Sequence, residues 1–455
     1  MDVALPVLPV PPSPGTAGTT VRACYNVYDL DTEARAKHLK KLLLTPIQKG
    51  PRGSIVASYS CAVHLKNNGL AIPRFYGLLQ LGFPDQDHTA PGATASFAFN
   101  GTLKPYQQTA IDATLLAIRR FGGGLLSAGC GTGKTVMCIA IAAALGVRTC
   151  VLVHKGFLLE QWRERIATFA PEARVGIVAQ DRNDLACESP PDIVLCMIQT
   201  VLSRYTPRDN MFHTIGLVAV DECHHVCARS FMKALQCFPA RHRLGLTATP
   251  DRRDGLGFAL PWFLGPLAAV VERSTTTLEV TWLDGALNLK PVLNESTGDL
   301  LYAATVSALT TCAERNNKIL AVLRNAITNG RQIIVISERR KQLQDLHEQH
   351  GQGALYVGET TKKKKEARDT QAQTANPLFA SYAMGEEGLD VPRLDFLLFA
   401  SPRGSPSCIE QCVGRIMRPA ETKRVPPPVD FRDGVFRTMA NERQRPYRKW
   451  CNKRN

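Results

Sequence analysis

The sequence, 455 residues long, predicts an α/β fold in which two parallel sheets are flanked by helices, with a small α+β module in front of them. Three observations predict it. From Leu103 onward, short β-rich runs alternate with helical runs, the texture of strand–helix–strand units. The strand candidates are nearly continuous in apolar residues, as strands buried on both faces are. The alternation also occurs twice, on either side of a looser segment.

The first series has strand candidates at Gly124–Ser127, Thr149–His154, Asp192–Ile198, Ile215–Asp221 and Leu244–Thr249. Between them, a helix from Lys134 to Leu145 is closed by Gly146, a residue that readily takes the left-handed turn ending a helix. Another helix carries Leu159, Trp162, Ile166 and Phe169 at 3-4-3 spacing, which makes one apolar face. The segment from about Thr275 to Gly298 holds turn formers, among them Asp284-Gly285 and Asn294–Gly298. The second series has strand candidates at Gln332–Ser337, Ala354–Val357, Leu378–Ala383 and Asp395–Ala400. It matches the first in texture, not in sequence. Ahead of both, Val21 to Asn100 mixes short strand-like pieces with turns and carries no chemical motif. The expected divisions are a disordered leader (1–20), an accessory module (21–100), a first α/β domain (101–275), a connection (276–298) and a second α/β domain with a basic tail (299–455).

Composition narrows the partners. The chain is 44% hydrophobic and 21% charged, ordinary for a globular protein. Its formal charge of +15 favours polyanions, nucleic acid being the commonest, though a merely basic protein is as compatible with charge alone. Fourteen cysteines are scattered; Cys130, Cys138, Cys150, Cys196 and Cys237 lie in or beside apolar runs and read as reduced core thiols of an intracellular protein. The first twenty residues lack a basic residue and are broken by Pro6, Pro9, Pro11, Pro12 and Pro14, unlike a signal or transit peptide. No run approaches the roughly 20 apolar residues of a membrane span.

The chemistry begins at Ser127-Ala128-Gly129-Cys130-Gly131-Thr132-Gly133-Lys134-Thr135, which follows a strand candidate and opens a helix. Three glycines let the backbone turn tightly and aim N–H groups inward; with the helix N-terminus these cradle phosphates. Lys134 is placed for the β- and γ-phosphates of ATP, and the Thr135 hydroxyl for Mg²⁺. The bland alternative is a chance glycine-rich turn, against which the order strand, loop, helix argues. Further on, Asp221-Glu222 closes the apolar run Ile215–Val220. Two carboxylates at the end of a buried strand are costly unless they serve a purpose. In a phosphate-loop protein the first holds Mg²⁺ through water and the second polarises the attacking water; alone, the pair would read as solvated strand-end acids. Cys223-His224-His225-Val226-Cys227 offers four possible metal ligands in five residues, but structural zinc uses two separated ligand pairs and no second pair is near.

Read together, these residues resemble superfamily 2 helicases of the DEAD/DEAH-box type, with Asp221-Glu222-Cys223-His224 as motif II in its DECH form. Leu103-Lys104-Pro105-Tyr106-Gln107 resembles the adenine-recognition element, with Gln107 as the adenine contact. Val153-His154-Lys155 followed by Leu159-Glu160-Gln161-Trp162 resembles motif Ia, and Thr247-Ala248-Thr249-Pro250 motif III. Ile333–Ser337 stands where motif IV would be. Glu387-Gly388-Leu389-Asp390 resembles motif V, and Gln411-Cys412-Val413-Gly414-Arg415-Ile416-Met417-Arg418 motif VI. Ala128, where the phosphate loop usually starts with Gly, is the form common in helicases. Ala380-Ser381 replaces an expected Thr before motif V, and Cys412 a larger residue. The extension Thr249–Gly255, the segment Ala313–Ile319 and Leu158–Trp162 resemble the branch holding the excision-repair helicase XPB, the phage helicase UvsW and transcript-release-type helicases of large DNA viruses; Ile72-Pro73-Arg74-Phe75-Tyr76-Gly77 resembles a segment of the viral proteins.

The resemblance covers about Leu103 to Pro419 and implies two RecA-like P-loop lobes with ATP bound between them. From the first lobe it implies Gln107, the loop Ala128–Thr135, Asp221 and Glu222; from the second, Gly388 and Asp390, with Arg415 and Arg418 as arginine fingers on the transferred phosphoryl group. His224, Thr247, Thr249 and Gln411 would couple hydrolysis to grip, and His154, Lys155, Thr200 and Arg252 would touch nucleic-acid phosphates, which carry little sequence information. The expected activity is an ATP-dependent, Mg²⁺-requiring DNA helicase or translocase travelling 3′ to 5′, acting as a monomer in viral transcription or in repair, in the nucleus, a cytoplasmic viral factory or the virion. An RNA helicase, a regulator that no longer hydrolyses ATP, and a restriction-type motor subunit are the alternatives; intact Lys134, Glu222 and Arg418 oppose the second, and the absence of a nuclease signature the third. Lys362–Lys365 reads as a solvated run that backbone binding or nuclear targeting could also use. Tyr447 and Trp450, amid basic residues, read as packing rather than base stacking.

Overall fold

The continuous apolar runs become central strands because each is covered on two sides. In the computed structural model, which describes residues 2–4, 18–28, 30–47, 57–66, 69–129, 131–207, 209–248, 254–272, 278, 280–286, 288–358, 362–385, 391–417 and 428–448, the chain forms two compact units, Met1–Arg273 and Ser274–Asn455.

The first unit is built on a nine-stranded sheet. Its order is Asp2–Ala4, Leu267–Glu272, Gly123–Ala128, His242–Thr247, Leu217–Val220, Thr149–Val153, Ile193–Met197, Val175–Ala179, Arg182–Asn183. All neighbours pair parallel except the two outermost strands, which pair antiparallel. Successive residues of each strand go to opposite faces. Leu125, Cys150, Leu152, Val218 and Val220 join one core, and Leu126, Val151, Val153, Leu217 and Ala219 the other. The second core is closed by the helices Pro105–Phe121, Lys134–Leu145 and Gly156–Phe169.

On the first face sits the accessory module. Its five-stranded sheet runs Val63–His64, Leu70–Ile72, Tyr25–Val27, Thr19–Val21, Gln86–Asp87, with helices Thr32–Lys41 and Arg74–Leu81. The Ile72–Gly77 segment is its plug into the sheet domain. Phe75 lies where a Cβ on Gly123 would come within 2.4 Å of its ring, so only glycine fits there. Tyr76 packs edge-on against Trp262. Arg74, 3% exposed, donates to the carbonyls of Ala240, Arg241 and Arg22. Arg243, 2% exposed, donates from the other side to Ala23 and Phe263. Two guanidiniums thus bind one module's carbonyls to the other's, using charge-assisted hydrogen bonds.

Among the described residues, the second unit has six strands, all parallel, in the order Thr281–Asp284, Pro428–Arg432, Phe396–Phe399, Ile333–Ser337, Leu378–Ser381, Ala354–Tyr356. Arg315 and Asp433 form a two-pronged ion pair at 2.7 and 3.0 Å, each side chain 1% exposed, and Arg315 also donates to the Ala400 carbonyl. Arg443 makes a similar pair with Asp430, which also accepts from the Tyr447 hydroxyl; Tyr447 is buried against Trp282, so it packs.

Three expectations change. Asp2–Ala4, within the expected disordered leader, is a strand on the edge of the large sheet, where pairing with Leu267–Glu272 satisfies backbone that a disordered leader would leave in water. Thr19–Val21 is likewise a strand. The segment 276–298, expected as a connection, supplies Thr281–Asp284 to the second sheet, where it pairs in parallel with Pro428–Arg432. No helix among the described residues is long and apolar enough to cross a membrane.

His242, which starts the strand leading to motif III, gives a pH prediction. Burial, with Arg241 and Arg74 nearby, pushes its imidazole down to about 4. The unfolded chain, titrating near the ordinary 6.5, then binds more protons than the folded one between those values, so stability is full above 6.5 and is lost as pH falls toward 4. Thermal melting across this window should fall with acid, and His242→Gln should make the fall shallower; an unchanged slope would remove His242 from the effect.

Candidate active site

The parallel register brings the chemistry to one edge. Thr247 pairs with Ser127 and Val220 with Leu152, so the loops after Ala128, Val153, Val220 and Thr247 all leave the same C-terminal ends of the strands. That is where open α/β sheets place their ligands.

The phosphate loop is held from within. Thr132, 1% exposed, donates from Oγ1 to the Gly129 carbonyl at 2.7 Å. Its own carbonyl accepts from Tyr106 Oη at 3.1 Å and Gln107 Nε2 at 3.0 Å. Gln107 Oε1 accepts from Lys104 N, capping the helix Pro105–Phe121. Gly133 has φ +91°, which calls for glycine, and a Cβ there would stand 2.3 Å from Gln107 Nε2 and push that amide off the loop. Gln107 therefore positions the loop, and these bonds use one N–H and one lone pair of its amide. The helix Lys134–Leu145 follows Gly133 and starts without a side-chain cap, and a helix N-terminus in this position is where phosphate loops hold phosphate. Lys134 Nζ, meanwhile, donates to the Ala128 carbonyl at 3.1 Å.

Opposite this loop stands the acidic pair. Asp221 is 8% exposed; its Oδ2 accepts from Trp162 Nε1 at 2.9 Å and its Oδ1 from Glu222 N at 2.9 Å. Glu222 is in the left-handed region with φ +47°, a strained place for a non-glycine residue. Burial and the neighbouring Glu222 raise the Asp221 carboxyl above its ordinary range. Burial acts on Glu222 too, but Lys134 and His224 outweigh it and hold that carboxylate ionised. His224 Nδ1 lies 3.3 Å from Glu222 Oε2 and 3.3 Å from Thr247 Oγ1. A polar chain thus runs from the acidic pair through His224 to the motif III strand, the arrangement a coupling role needs.

Two family models match the chain: the type III restriction enzyme res subunit over residues 100–252, and the helicase conserved C-terminal domain over residues 314–420. A protein of Acanthamoeba polyphaga mimivirus, named as an ATP-dependent RNA helicase, is 29% identical over 400 residues, covering 84% of this chain and 75% of its own. The DNA 3'-5' translocase XPB2 of Sulfurisphaera tokodaii is 30% identical over 165 residues, 36% of this chain and 35% of its own. The chain is a superfamily 2 helicase. A solved structure, S. cerevisiae Dbp5 bound to RNA and ADP BeF3, matches this helicase's fold with TM-score 0.55 at 13% identity, covering 76% of this chain and 92% of that one. The two units are accordingly RecA-like lobes, and the helicase is a nucleic-acid-dependent ATPase.

The remaining expected residues divide. In the second lobe, motif VI forms the helix Pro406–Ile416; Gln411 is 7% exposed, and Arg415 Nε donates to the Gly385 carbonyl at 3.3 Å. Cys130, Thr249, Arg252, Gly388, Asp390 and Arg418 lie outside the described residues. Thr135 sits half-buried in the first turn of its helix.

Two of the proposed phosphate contacts of the helicase are revised. The His154 ring is turned inward, with its centroid 4.7 Å from that of His225 and 6.1 Å from that of Phe231. Burial, with Lys155 alongside, lowers its pKa to about 4, so it offers no positive charge to a backbone. Thr200, 7% exposed, spends its hydroxyl on Gln180 N at 2.9 Å, steadying a residue with φ +51°. Lys155 stays partly exposed, over the Phe157 ring. Cys223 and Cys227 are buried core thiols, and Cys227 Sγ donates to the Leu256 carbonyl. Sequence reading missed the polar duty of Trp162, which it counted only as an apolar-face residue. The signal was available: a buried indole N–H nearly always finds an acceptor.

Proposed function

We propose that this helicase is an ATP-driven DNA translocase or helicase moving 3′ to 5′ and working in viral transcription or in repair. The observation that carries the motor reading is the polar chain Glu222–His224–Thr247 beside a phosphate loop whose helix N-terminus lacks a side-chain cap. In this reading the loop and Lys134 hold the phosphates of ATP, and Glu222 takes the proton of the attacking water. Mg²⁺ fits the donor set, with the Thr135 hydroxyl and, through water, the Asp221 carboxylate as its protein partners; bound there, it neutralises developing phosphate charge. Arg415 takes the arginine-finger role that motif VI implies. The likeness to a DNA translocase and the net charge of +15 support DNA as the track, gripped through phosphates.

The mimivirus relative, whose name specifies RNA, favours a second reading as an RNA helicase. ATP turnover measured with single-stranded DNA, duplex DNA and RNA separates the two. DNA should stimulate most; stimulation by RNA alone would replace the first reading with the second.

A further inference from the structure

We propose that Trp162 is a positioning residue for the magnesium-binding carboxylate. The proposal rests on the Asp221 role assigned above and deepens it.

The indole is 2% exposed, on the helix Gly156–Phe169, and its N–H donates to Asp221 Oδ2 at 2.9 Å. The other oxygen, Oδ1, is held by Glu222 N at 2.9 Å. Asp221 therefore has one N–H on each oxygen, from two different elements, and its carboxylate plane is set before any cation arrives. A carboxylate that holds a cation through water must present a lone pair in a fixed direction, and each of its oxygens keeps capacity beyond the one bond described. Groups just outside the coordination sphere, as a water-linked Asp221 would be, orient what the cation touches, and losing one typically costs about tenfold to hundredfold in metal affinity; losing the donor that sets Asp221 should cost about the lower figure. Trp162 is a rigid donor for this purpose. Its ring belongs to the same buried core cluster as Ile166, Leu158 and Val153, and close-packed cores restrict such rings. Phenylalanine would fill much of the same space while offering no donor.

The test uses the full chain and mant-ADP as probe. Binding is followed by fluorescence in EDTA and over a Mg²⁺ titration, for wild type, Trp162→Phe and Trp162→His. Trp162→Phe should bind mant-ADP as wild type does in EDTA yet need about tenfold more Mg²⁺ to reach the metal-dependent affinity, and Trp162→His, which restores a ring N–H, should recover part of the shift. A Mg²⁺ dependence of Trp162→Phe equal to wild type would overturn the proposal alone. A wild-type protein whose mant-ADP binding ignores Mg²⁺ would overturn the metal reading of Asp221, and this proposal with it. Should Trp162→Phe fail to fold, the ¹⁵N-indole resonance of Trp162 in the wild-type ADP complex supplies the test: it should move on adding Mg²⁺, and an unmoved resonance would overturn the proposal.

Discussion

Glu222→Gln should abolish ATP turnover and leave nucleotide binding intact. The substitution keeps the size of the side chain and removes only the group that accepts a proton. General-base catalysis is worth roughly 10²–10⁴ in rate, so turnover should fall by that factor both with and without nucleic acid. Binding should survive because the elements that hold phosphate do not depend on Glu222. The loop is stitched by Thr132, Tyr106 and Gln107, and the helix that follows begins at Lys134. Glu222 is suited to the base role by its setting. Lys134 and His224 keep it ionised despite burial, and its left-handed backbone is a strained conformation of the kind found at reacting groups. Steady-state turnover and mant-ATP binding, measured on the same preparation, check both halves. Turnover equal to wild type would take Glu222 out of the reaction.

Asp433→Ala should destabilise the second lobe by about 3–5 kcal/mol, the usual cost of stranding one member of a buried ion pair. Asp433 accepts from Arg315 Nε at 2.7 Å, from Arg315 Nη2 at 3.0 Å and from Ala286 N at 3.0 Å. Alanine would leave the guanidinium, 1% exposed, with only the Ala400 carbonyl and the face of the Phe431 ring. Replacing both partners by apolar residues, Arg315→Met with Asp433→Leu, should recover most of the loss, since a buried pair is frequently no better than well-packed hydrophobes. Urea unfolding of the three proteins decides it. A single variant as stable as wild type would mean that water reaches the pair.

What was legible in the sequence follows from what each pattern measures. Runs such as Cys150–Val153 or Ile333–Ser337 were legible because burial on both faces demands apolar residues without a break. The phosphate loop was legible because its conformation demands glycine at fixed places, as Gly133 illustrates. Thr281–Asp284 was not, because a four-residue strand whose residues are half-buried or exposed, followed by Asp284-Gly285, reads as a turn. Pro428–Arg432 was hidden by the prolines before it. Motif adjacency located His154 and Thr200 but carried no information on which way their side chains face, and both turned inward. Trp162 shows the converse: its apolar ring explained the spacing so fully that its one polar atom went unread.

The arginines that dock the Ile72–Gly77 plug have a thermodynamic consequence. Arg74 and Arg243 each reach backbone carbonyls across the join between the accessory module and the sheet, and the same hydrophobic cluster runs through both. Opening that join would expose the apolar cluster the two parts share and break both arginines' hydrogen bonds, so neither part can melt ahead of the other at small cost. Texture divides the chain into three modules, but its unfolding should count only two cooperative blocks.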